Sequence, residues 1–199
     1  MKKKIGFYGG SFDPIHHGHI QIALQALESS LIDEVLFCPA GVSPFKTHHA
    51  PKANGFHRMN MVTLAIEDIE GFTITDEEIK RPGPSYTIDS MLSLQKKNSN
   101  HEFYLILADD QLKGFSLWKE AQRLSKLFPL LIGSRLFSSF DQLPKDFFPV
   151  SENHCFFGPK LEISSTYLRE RLKKGLYCRH LTPPKVLDYI HRHGLYLTD

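Results

Sequence analysis

An eleven-residue segment near the amino terminus, Gly9-Gly-Ser-Phe-Asp-Pro-Ile-His-His-Gly-His19, constrains the fold of this chain more than any other feature. It follows the apolar run Ile5-Gly-Phe-Tyr8, so it predicts a strand that passes into a helix through a glycine-containing turn. Glycine lets the backbone approach a ligand closely, and the free N–H groups at a helix start attract anions such as phosphate. His16 and His19 lie three residues apart, so we expect both imidazoles on one face, donating to the same phosphate group.

Simpler interpretations of this segment stay open at this point. Two adjacent glycines can form an ordinary turn, and two histidines at this spacing can be a surface pair. With a third ligand they could also bind zinc. The three cysteines, Cys38, Cys155 and Cys178, lie far from the histidines in the sequence, which argues against a zinc site.

The bulk composition excludes several classes of protein. Hydrophobic residues make up 41% of the 199 residues and charged residues 23%, as in soluble globular proteins, so we predict one folded domain, 1–199. The net charge of +2 and the single basic run, Lys2-Lys3-Lys4, indicate a solvated terminus and no nucleic-acid partner. We expect no export signal and no membrane partner. An odd number of cysteines without Cys-x-x-Cys spacing predicts reduced thiols and a cytoplasmic protein.

Short apolar runs alternate with segments of helical periodicity along the chain. This pattern predicts an α/β fold with a doubly wound parallel sheet and C-terminal helices. The predicted strands are Lys4–Tyr8, Glu34–Cys38, Phe72–Thr75, Glu102–Leu107, Pro129–Gly133 and His154–Phe157. Five helices are predicted from apolar residues that recur with helical spacing. The buried stripe of the first contains Ile20, Ala23, Leu24, Leu27 and Leu31, that of the second Met59, Val62, Ala65, Ile66 and Ile69, and that of the third Ile88, Met91, Leu92 and Gln95. The fourth helix contains Leu168 and Leu172, and the fifth, after Pro183-Pro184, contains Val186, Leu187 and Ile190. The predicted loops are Pro39–Asn54, Glu77–Pro84 and Leu136–Asn153.

Two cations follow the second predicted strand, where ligands bind in open α/β sheets. Lys46 lies in the loop after that strand and could hold an acceptor phosphate, although a lysine there can also be simply solvated. Arg58, at the start of the next helix, could assist it or could only cover helix surface.

Two helix starts offer further donors. Ser85, after Pro84, is predicted to cap a helix whose Tyr86 and Thr87 N–H groups point outward and suit a carboxylate. Near the end of the chain, Leu161-Glu-Ile-Ser-Ser-Thr-Tyr-Leu-Arg169 places three hydroxyls and an arginine at another helix start, where they could surround a second phosphate or form a plain cap. Arg135, after the fifth predicted strand, could add charge there or lie on the surface.

These segments resemble, in order from Ile5 to Arg169, the motifs of the nucleotidyltransferase superfamily and of bacterial nicotinate mononucleotide adenylyltransferases. The first and last segments resemble the superfamily's His-x-Gly-His and Ile-Ser-Ser-Thr motifs, and Gly83-Pro-Ser-Tyr-Thr-Ile-Asp89 resembles the acceptor-recognition motif. The closing segment, Tyr189-Ile to Leu195-Tyr, is also similar. The resemblance implies a Rossmann-like sheet and transfer of AMP from ATP to nicotinate mononucleotide, with Mg²⁺ carried mainly by the ATP phosphates. The protein is then expected to be a monomer or a small homo-oligomer.

The resemblance also implies residue roles. It implies catalytic roles for His16, His19, Lys46 and Arg169, and a pyridine-stacking role for Trp118, which taken alone could equally anchor the core. Lys46, Ser85, Tyr86, Thr87 and Trp118 are expected to bind nicotinate mononucleotide. Residues expected to bind ATP are Gly9, Gly10, Ser11, Phe12, His16, Gly18, His19, Asp110, Arg135, Ile163, Ser164, Ser165, Thr166 and Arg169.

Three positions depart from the family pattern. Phe45 replaces a usual histidine, Ala108 a usual glycine, and Asp109 a small residue. If the position of Ala108 requires a left-handed backbone, alanine there would cost roughly 1 to 2 kcal/mol, and the Asp109 carboxylate could repel nucleotide. Whether these residues reshape the adenine pocket stays open at this point. Two other functions stay open, a phosphopantetheine adenylyltransferase and a non-catalytic nucleotide-binding regulator.

Overall fold

A computed structural model of the chain, which describes residues 2–42, 51–134, 139–142, 152–159 and 161–198, contains one sheet of six parallel strands within those ranges. The strands are β1 (Lys3–Gly10), β2 (Glu34–Pro39), β3 (Phe72–Ile74), β4 (His101–Ala108), β5 (Leu130–Ser134) and β6 (Cys155–Phe157). Their order across the sheet is β3-β2-β1-β4-β5-β6. Every adjacent pair is parallel, and Ile5, for example, is in register with Glu34 of β2 and Phe103 of β4.

Helices cover both faces of this sheet. They are α1 (His17–Glu28), α2 (Gly55–Ile66), α3 (Thr87–Lys97), α4 (Asp109–Phe115), α5 (Ala121–Leu127), α6 (Ser165–Lys173) and α7 (Pro184–Arg192). Short 3₁₀ turns lie at Phe140–Gln142 and Glu152–His154. Among the described residues, no helix is long and apolar enough to cross a membrane.

The core divides into two layers because alternate residues of a strand point to opposite faces of the sheet. In β4, the side chains of Leu105 and Leu107 pack with α3, α4 and α5, whereas Tyr104 and Ile106 pack with α1, α2, α6 and α7. Both faces of the strand are therefore buried, which explains why the sequence of β4 is an almost continuous apolar run.

The predicted doubly wound sheet is confirmed, and so are its six strands. The prediction was wrong at helix ends: α1 stops at Glu28, so Leu31 packs on the core from beyond the helix, and Ile69 lies beyond α2 in the same way. Ser29 ends α1 through its hydroxyl, which donates to the Ala26 carbonyl and accepts from the Leu31 N–H. In the basic run at the amino terminus, Lys2 and Lys3 are exposed to solvent, as predicted, and Lys3 and Lys4 belong to β1.

The order in which successive strands are added to the sheet reverses at its centre. The chain runs outward from β1 to β3 on one side and from β4 to β6 on the other, so β1 and β4 flank the point of reversal. Ligands of open α/β sheets bind in the crevice beyond the carboxyl ends of such strands. This geometry directs attention to Gly10 and Ala108, where β1 and β4 end.

Candidate active site

A cleft of about 530 Å³ opens at the carboxyl ends of β1 and β4. Four of the segments selected from the sequence meet in its wall. Its lining includes Gly9, Gly10, Ser11, Phe12, His19, Ser85, Tyr86, Thr87, Asp110, Trp118 and Ser165. Parallel topology therefore gathers segments that are up to 156 residues apart in the sequence into one concave surface, as the separation of Gly9 from Ser165 illustrates.

The histidine pair lies at the start of α1. The His19 Nδ1 atom accepts a hydrogen bond from the backbone N–H of His16 at 3.2 Å, so a neutral His19 ring carries its proton on Nε2. The two rings stack with centroids 3.7 Å apart, but only His19 of this pair lines the cleft, while His16 is 1% exposed. The predicted pairing of the two rings is present, and of the two His19 is the one that borders the cleft, because His16 lies buried against it. A contact of both imidazoles with one phosphate stays a prediction.

The second helix start, that of α6, reaches the same wall. The Ser164 side chain is its N-cap and accepts from the Tyr167 N–H at 3.1 Å, so the capping interpretation is correct for this residue. Ser165 is bonded to the Pro14 carbonyl at 2.9 Å and lines the cleft. Arg169 donates to the Asp13 carbonyl at 2.6 Å and to the Thr166 hydroxyl at 3.2 Å. These bonds hold its guanidinium beside the turn that follows β1.

The acceptor segment differs from its prediction in one respect. Ser85 is not a helix cap, because α3 begins at Thr87 and its N-cap residue is Tyr86. Instead, the Ser85 hydroxyl accepts from the Gly41 N–H at 3.0 Å and its own N–H donates to the Val42 carbonyl at 2.7 Å, which ties the loop after β2 to this segment. Tyr86 and Thr87 line the cleft at a helix start, where first-turn N–H groups have no acceptor within the helix.

Trp118 packs on the core and also borders the cleft, while its stacking role stays a prediction. Its ring packs against Phe115, with centroids 5.3 Å apart, and the same side chain also lines the cleft.

Lys119 is a cleft residue that sequence reasoning missed. Its Nζ atom pairs with the Asp89 carboxylate at 2.8 Å and lies 4.7 Å from the centroid of the Tyr86 ring. It therefore brings a positive charge to the start of α3. A cation directly after a candidate stacking tryptophan was the signal that could have found it.

The departures at the end of β4, which the sequence left open, do not strain the backbone or place the Asp109 carboxylate in the cleft. Ala108 has φ −81° and ψ 151°, an extended conformation that any residue adopts. Asp109 is fully buried, and its Oδ2 atom accepts a hydrogen bond from the Ser134 hydroxyl at 2.6 Å. The carboxylate is therefore turned toward β5, and the neighbouring Asp110 is the aspartate of this pair that lines the cleft.

Arg58 was expected to assist Lys46 or to cover helix surface, and neither interpretation describes it. Its side chain is 2% exposed, and its guanidinium donates to the backbone carbonyls of Ser11, Gly41 and Ala53 at 2.8, 3.3 and 3.1 Å. Burial lowers the pKa of this guanidinium. Arg58 thus joins the glycine turn after β1 to both described ends of the loop after β2.

Three predicted positions, Phe45, Lys46 and Arg135, lie outside the described residues. Within the described ranges, no group of three or more His, Cys, Asp or Glu side chains could hold a metal ion. Cys38, Cys155 and Cys178 are free thiols, and burial raises the pKa of Cys155 to about 11, which keeps that thiol protonated near neutral pH.

Comparison with known proteins identifies the family. The cytidylyltransferase-like family model matches residues 7–171. A probable nicotinate-nucleotide adenylyltransferase from Synechococcus sp. (strain JA-3-3Ab) is 39% identical over 206 residues, which cover 99% of this chain and 96% of that protein. The chain belongs to the nicotinate-nucleotide adenylyltransferase family. A second member, from Thermus thermophilus, is 37% identical over 97% of this chain and 99% of its own length.

Solved structures agree with this assignment to the family. The nicotinic acid mononucleotide adenylyltransferase of Plasmodium falciparum, complexed with NaAD, superimposes with a TM-score of 0.80 at 25% identity and covers 99% of this chain and 98% of its own. A structure from Vibrio parahaemolyticus that is described as a putative nicotinate-nucleotide adenylyltransferase shares the fold, with a TM-score of 0.70 at 18% identity and coverage of 99% of this chain and 97% of its own. The shared fold extends over nearly the whole chain, including the strands and helices that form the cleft described above.

Proposed function

We propose that this protein transfers the AMP part of ATP to nicotinate mononucleotide, giving nicotinate adenine dinucleotide and pyrophosphate in NAD biosynthesis. One observation carries the proposal: a single cleft in a member of this family joins a phosphate-ready turn, a second anion-binding helix start and a helix start suited to a carboxylate. These three features match the triphosphate of one substrate and the pyridine carboxylate of the other.

The reaction requires no nucleophilic side chain. An oxygen of the acceptor phosphate attacks the α-phosphorus of ATP, a new P–O bond forms, and the bond to the β-phosphate breaks, so that pyrophosphate leaves. The acceptor phosphate is already an anion near neutral pH, so no strong base is needed. Catalysis is then positioning and stabilisation of charge in the transition state.

The residues of the cleft divide between the two substrates. His19 Nε2 donates to the phosphates while His16 fixes its ring, and Arg169 and Lys46 add positive charge. The triphosphate and adenosine are bound by the first turn, at Gly9, Gly10, Ser11, Phe12 and Gly18, by Asp110 and Arg135, and by the α6 start at Ile163, Ser164, Ser165 and Thr166. The Tyr86 and Thr87 N–H groups donate to the ring carboxylate, Ser85 holds the adjoining loop, and Trp118 stacks on the ring.

Lys119 adds to the acceptor site in this proposal. Asp89 lies in the first turn of α3, and its negative charge would repel an acceptor carboxylate. The Lys119 ammonium pairs with the Asp89 carboxylate, and Lys119 also lines the cleft. It therefore offsets the negative charge of Asp89.

Mg²⁺ fits the donor set of the cleft only as an ion carried by ATP. Mg²⁺ binds through one or two carboxylates together with substrate phosphates. Asp110 lines the cleft and is exposed, whereas the Glu78 side chain, although its residue also borders the cleft, is buried and bonded to Ser90. The ion would offset the charge of the triphosphate, and Asp110 would be its protein contact. The remaining expectations stay predictions: a single domain, a cytoplasmic location, a monomer or small homo-oligomer, and no nucleic-acid or membrane partner.

An assay with three acceptors tests the proposal. The purified protein is supplied with ATP, Mg²⁺ and either nicotinate mononucleotide, nicotinamide mononucleotide or phosphopantetheine, and pyrophosphate release is followed. We expect rapid release with nicotinate mononucleotide and little with phosphopantetheine. Release with phosphopantetheine alone would replace the proposed acceptor, and no release with any acceptor would favour a nucleotide-binding regulator.

A further inference from the structure

Asp13 connects three parts of the cleft although it is only 5% exposed. It follows the glycine turn that ends β1. Its carboxylate accepts from the backbone N–H groups of Lys52 at 2.8 Å and Ala53 at 3.0 Å, at the far end of the loop after β2. Its carbonyl accepts from Arg169 at 2.6 Å, and the same guanidinium lies 3.8 Å from the Asp13 carboxylate. Asp13 thus orients both the far end of the loop after β2, at Lys52 and Ala53, and Arg169, which the proposed function assigns to the phosphates.

Arg58 completes this connection from the other side. Its guanidinium donates to the Ala53 carbonyl, so Ala53 is held through its N–H by Asp13 and through its carbonyl by Arg58. Arg58 also donates to the Ser11 carbonyl, two residues before Asp13. The position of Lys52 and Ala53, at the described far end of the loop after β2, relative to the glycine turn after β1 therefore depends on the orientation of the Asp13 carboxylate.

The side chain that fixes this orientation comes from the other end of the chain. The Tyr196 hydroxyl, 183 residues away, donates to Asp13 Oδ1 at 2.6 Å. Burial raises the pKa of the Tyr196 phenol above its ordinary value, so it remains protonated and donates at neutral pH. Tyr196 also has φ +61°, a left-handed conformation that side chains disfavour, and the hydrogen bond to Asp13 helps to hold it.

We infer that Tyr196 is a positioning residue for the adenylyl transfer. Its hydroxyl holds the Asp13 carboxylate, which in turn sets the far end of the loop after β2 and the place of Arg169, and so aligns the acceptor phosphate with the α-phosphate of ATP. Tyr196 is not among the residues that line the cleft, so it acts through Asp13 and not on the substrates. The inference rests on the proposed function.

The matched substitutions Tyr196→Phe and Tyr189→Phe test it. Both remove a hydrogen-bonded phenol hydroxyl from the C-terminal segment. The Tyr189 hydroxyl contacts His57 Nδ1 at 2.9 Å and Asn60 at 3.1 Å, between α7 and α2 and away from the cleft. A misplacement of reacting groups by about 1 Å costs up to roughly 100-fold in rate. We expect kcat to fall about 10- to 100-fold in Tyr196→Phe, with a raised KM for nicotinate mononucleotide, while Tyr189→Phe keeps the wild-type kcat and KM and a similar Tm.

Asp13→Asn and the double variant Asp13→Asn/Tyr196→Phe separate positioning from stability. If Tyr196 acts through Asp13, the double variant has nearly the kcat of Asp13→Asn alone. Wild-type kinetics in Tyr196→Phe, an equal loss in Tyr189→Phe, or multiplied losses in the double variant would overturn the inference. Should Tyr196→Phe not fold, Asp13→Asn decides by itself: lower kcat at an unchanged Tm supports the inference, and wild-type kcat rejects it. A wild-type protein that does not use nicotinate mononucleotide would instead remove the proposed function.

Discussion

At the scale of single residues, hydrogen bonds to the backbone decide which side chains can act on a substrate. His19 illustrates this, because the hydrogen bond that its Nδ1 atom accepts from the His16 N–H selects the tautomer with the proton on Nε2. The neighbouring His17 lies in the same helix start but has a different surrounding. Burial lowers the pKa of His17, and its ring is bonded to the backbone of Arg179.

We therefore predict that His19→Ala lowers kcat while leaving the fold intact. The Nε2 donor interacts more strongly with charge that develops in the transition state, and removal of one such donor typically costs about 100- to 1000-fold. Steady-state rates and circular dichroism measure the two effects. The control His17→Ala should keep kcat near the wild-type value, and an unfolded or fully active His19→Ala would assign His19 to structure alone.

Lys119 leads to a prediction about acceptor choice. In Lys119→Met the Asp89 carboxylate loses its ion-pair partner beside the carboxylate site, so kcat/KM for nicotinate mononucleotide should fall. Since Lys119 is partly exposed, we expect a loss of only roughly 3- to 10-fold, with little change for nicotinamide mononucleotide. Lys185→Met is the control, because Lys185 pairs with Glu67 and Asp68 outside the cleft. Equal losses with both acceptors would contradict this role.

Motif spacing identified His19, Tyr86, Thr87 and Ser165 as cleft residues. It could not identify Tyr196, since the role of this residue depends on a contact with Asp13, which lies 183 residues away. The position of Lys119 directly after Trp118 was a signal, but its pairing with Asp89, 30 residues away, was not visible in the sequence. The burial of His16 was likewise hidden, because spacing places two rings on one helix face but does not say which of them faces solvent.

At the scale of elements, the sequence predicted the long helices and missed α4 and α5. Each of these has seven residues, which is too short to display a clear helical period. The error had a consequence at the end of β4. α4 begins directly at Asp109, and the carboxylate of this residue turns into the protein and accepts a hydrogen bond from Ser134 of β5.

The adjacent aspartates at this junction should behave oppositely when replaced. Asp109→Ala removes a buried acceptor from the Ser134 hydroxyl and should lower the free energy of unfolding by about 1 to 3 kcal/mol, with an unchanged KM for ATP. Asp110→Ala removes an exposed cleft carboxylate and should change stability little while altering the KM for ATP. Denaturant unfolding of both variants measures the change in stability, and steady-state kinetics measure the KM for ATP. A fall in the ATP KM of Asp109→Ala would show that Asp109 strains the adenine pocket.

At the scale of the whole molecule, the cleft exists because the order of the strands reverses between β1 and β4: successive strands are added on one side of β1 and then on the other. Apolar runs predicted the strands, since a parallel sheet buries both faces, but they carry no information on the order of the strands. The order brings Gly10 and Ala108 to one edge, and the long-range bond from Tyr196 to Asp13 then joins the two ends of the chain at that edge.

The central claim is that this cleft recognises an acceptor by its ring carboxylate. The Tyr86 and Thr87 N–H groups suit an anion, whereas the NH₂ of an amide would face donors and leave them unpaired at roughly 1 to 3 kcal/mol each. Two such losses imply a preference on the order of 100-fold or more.

Competition between the two acceptors tests this claim most directly. Nicotinate mononucleotide and nicotinamide mononucleotide are supplied at equal concentration with ATP, and the two dinucleotide products are measured, so that their ratio gives the ratio of kcat/KM. We predict that nicotinate adenine dinucleotide exceeds the amide product by about 100-fold or more. Equal formation of the two products, or an excess of the amide product, would contradict the carboxylate site.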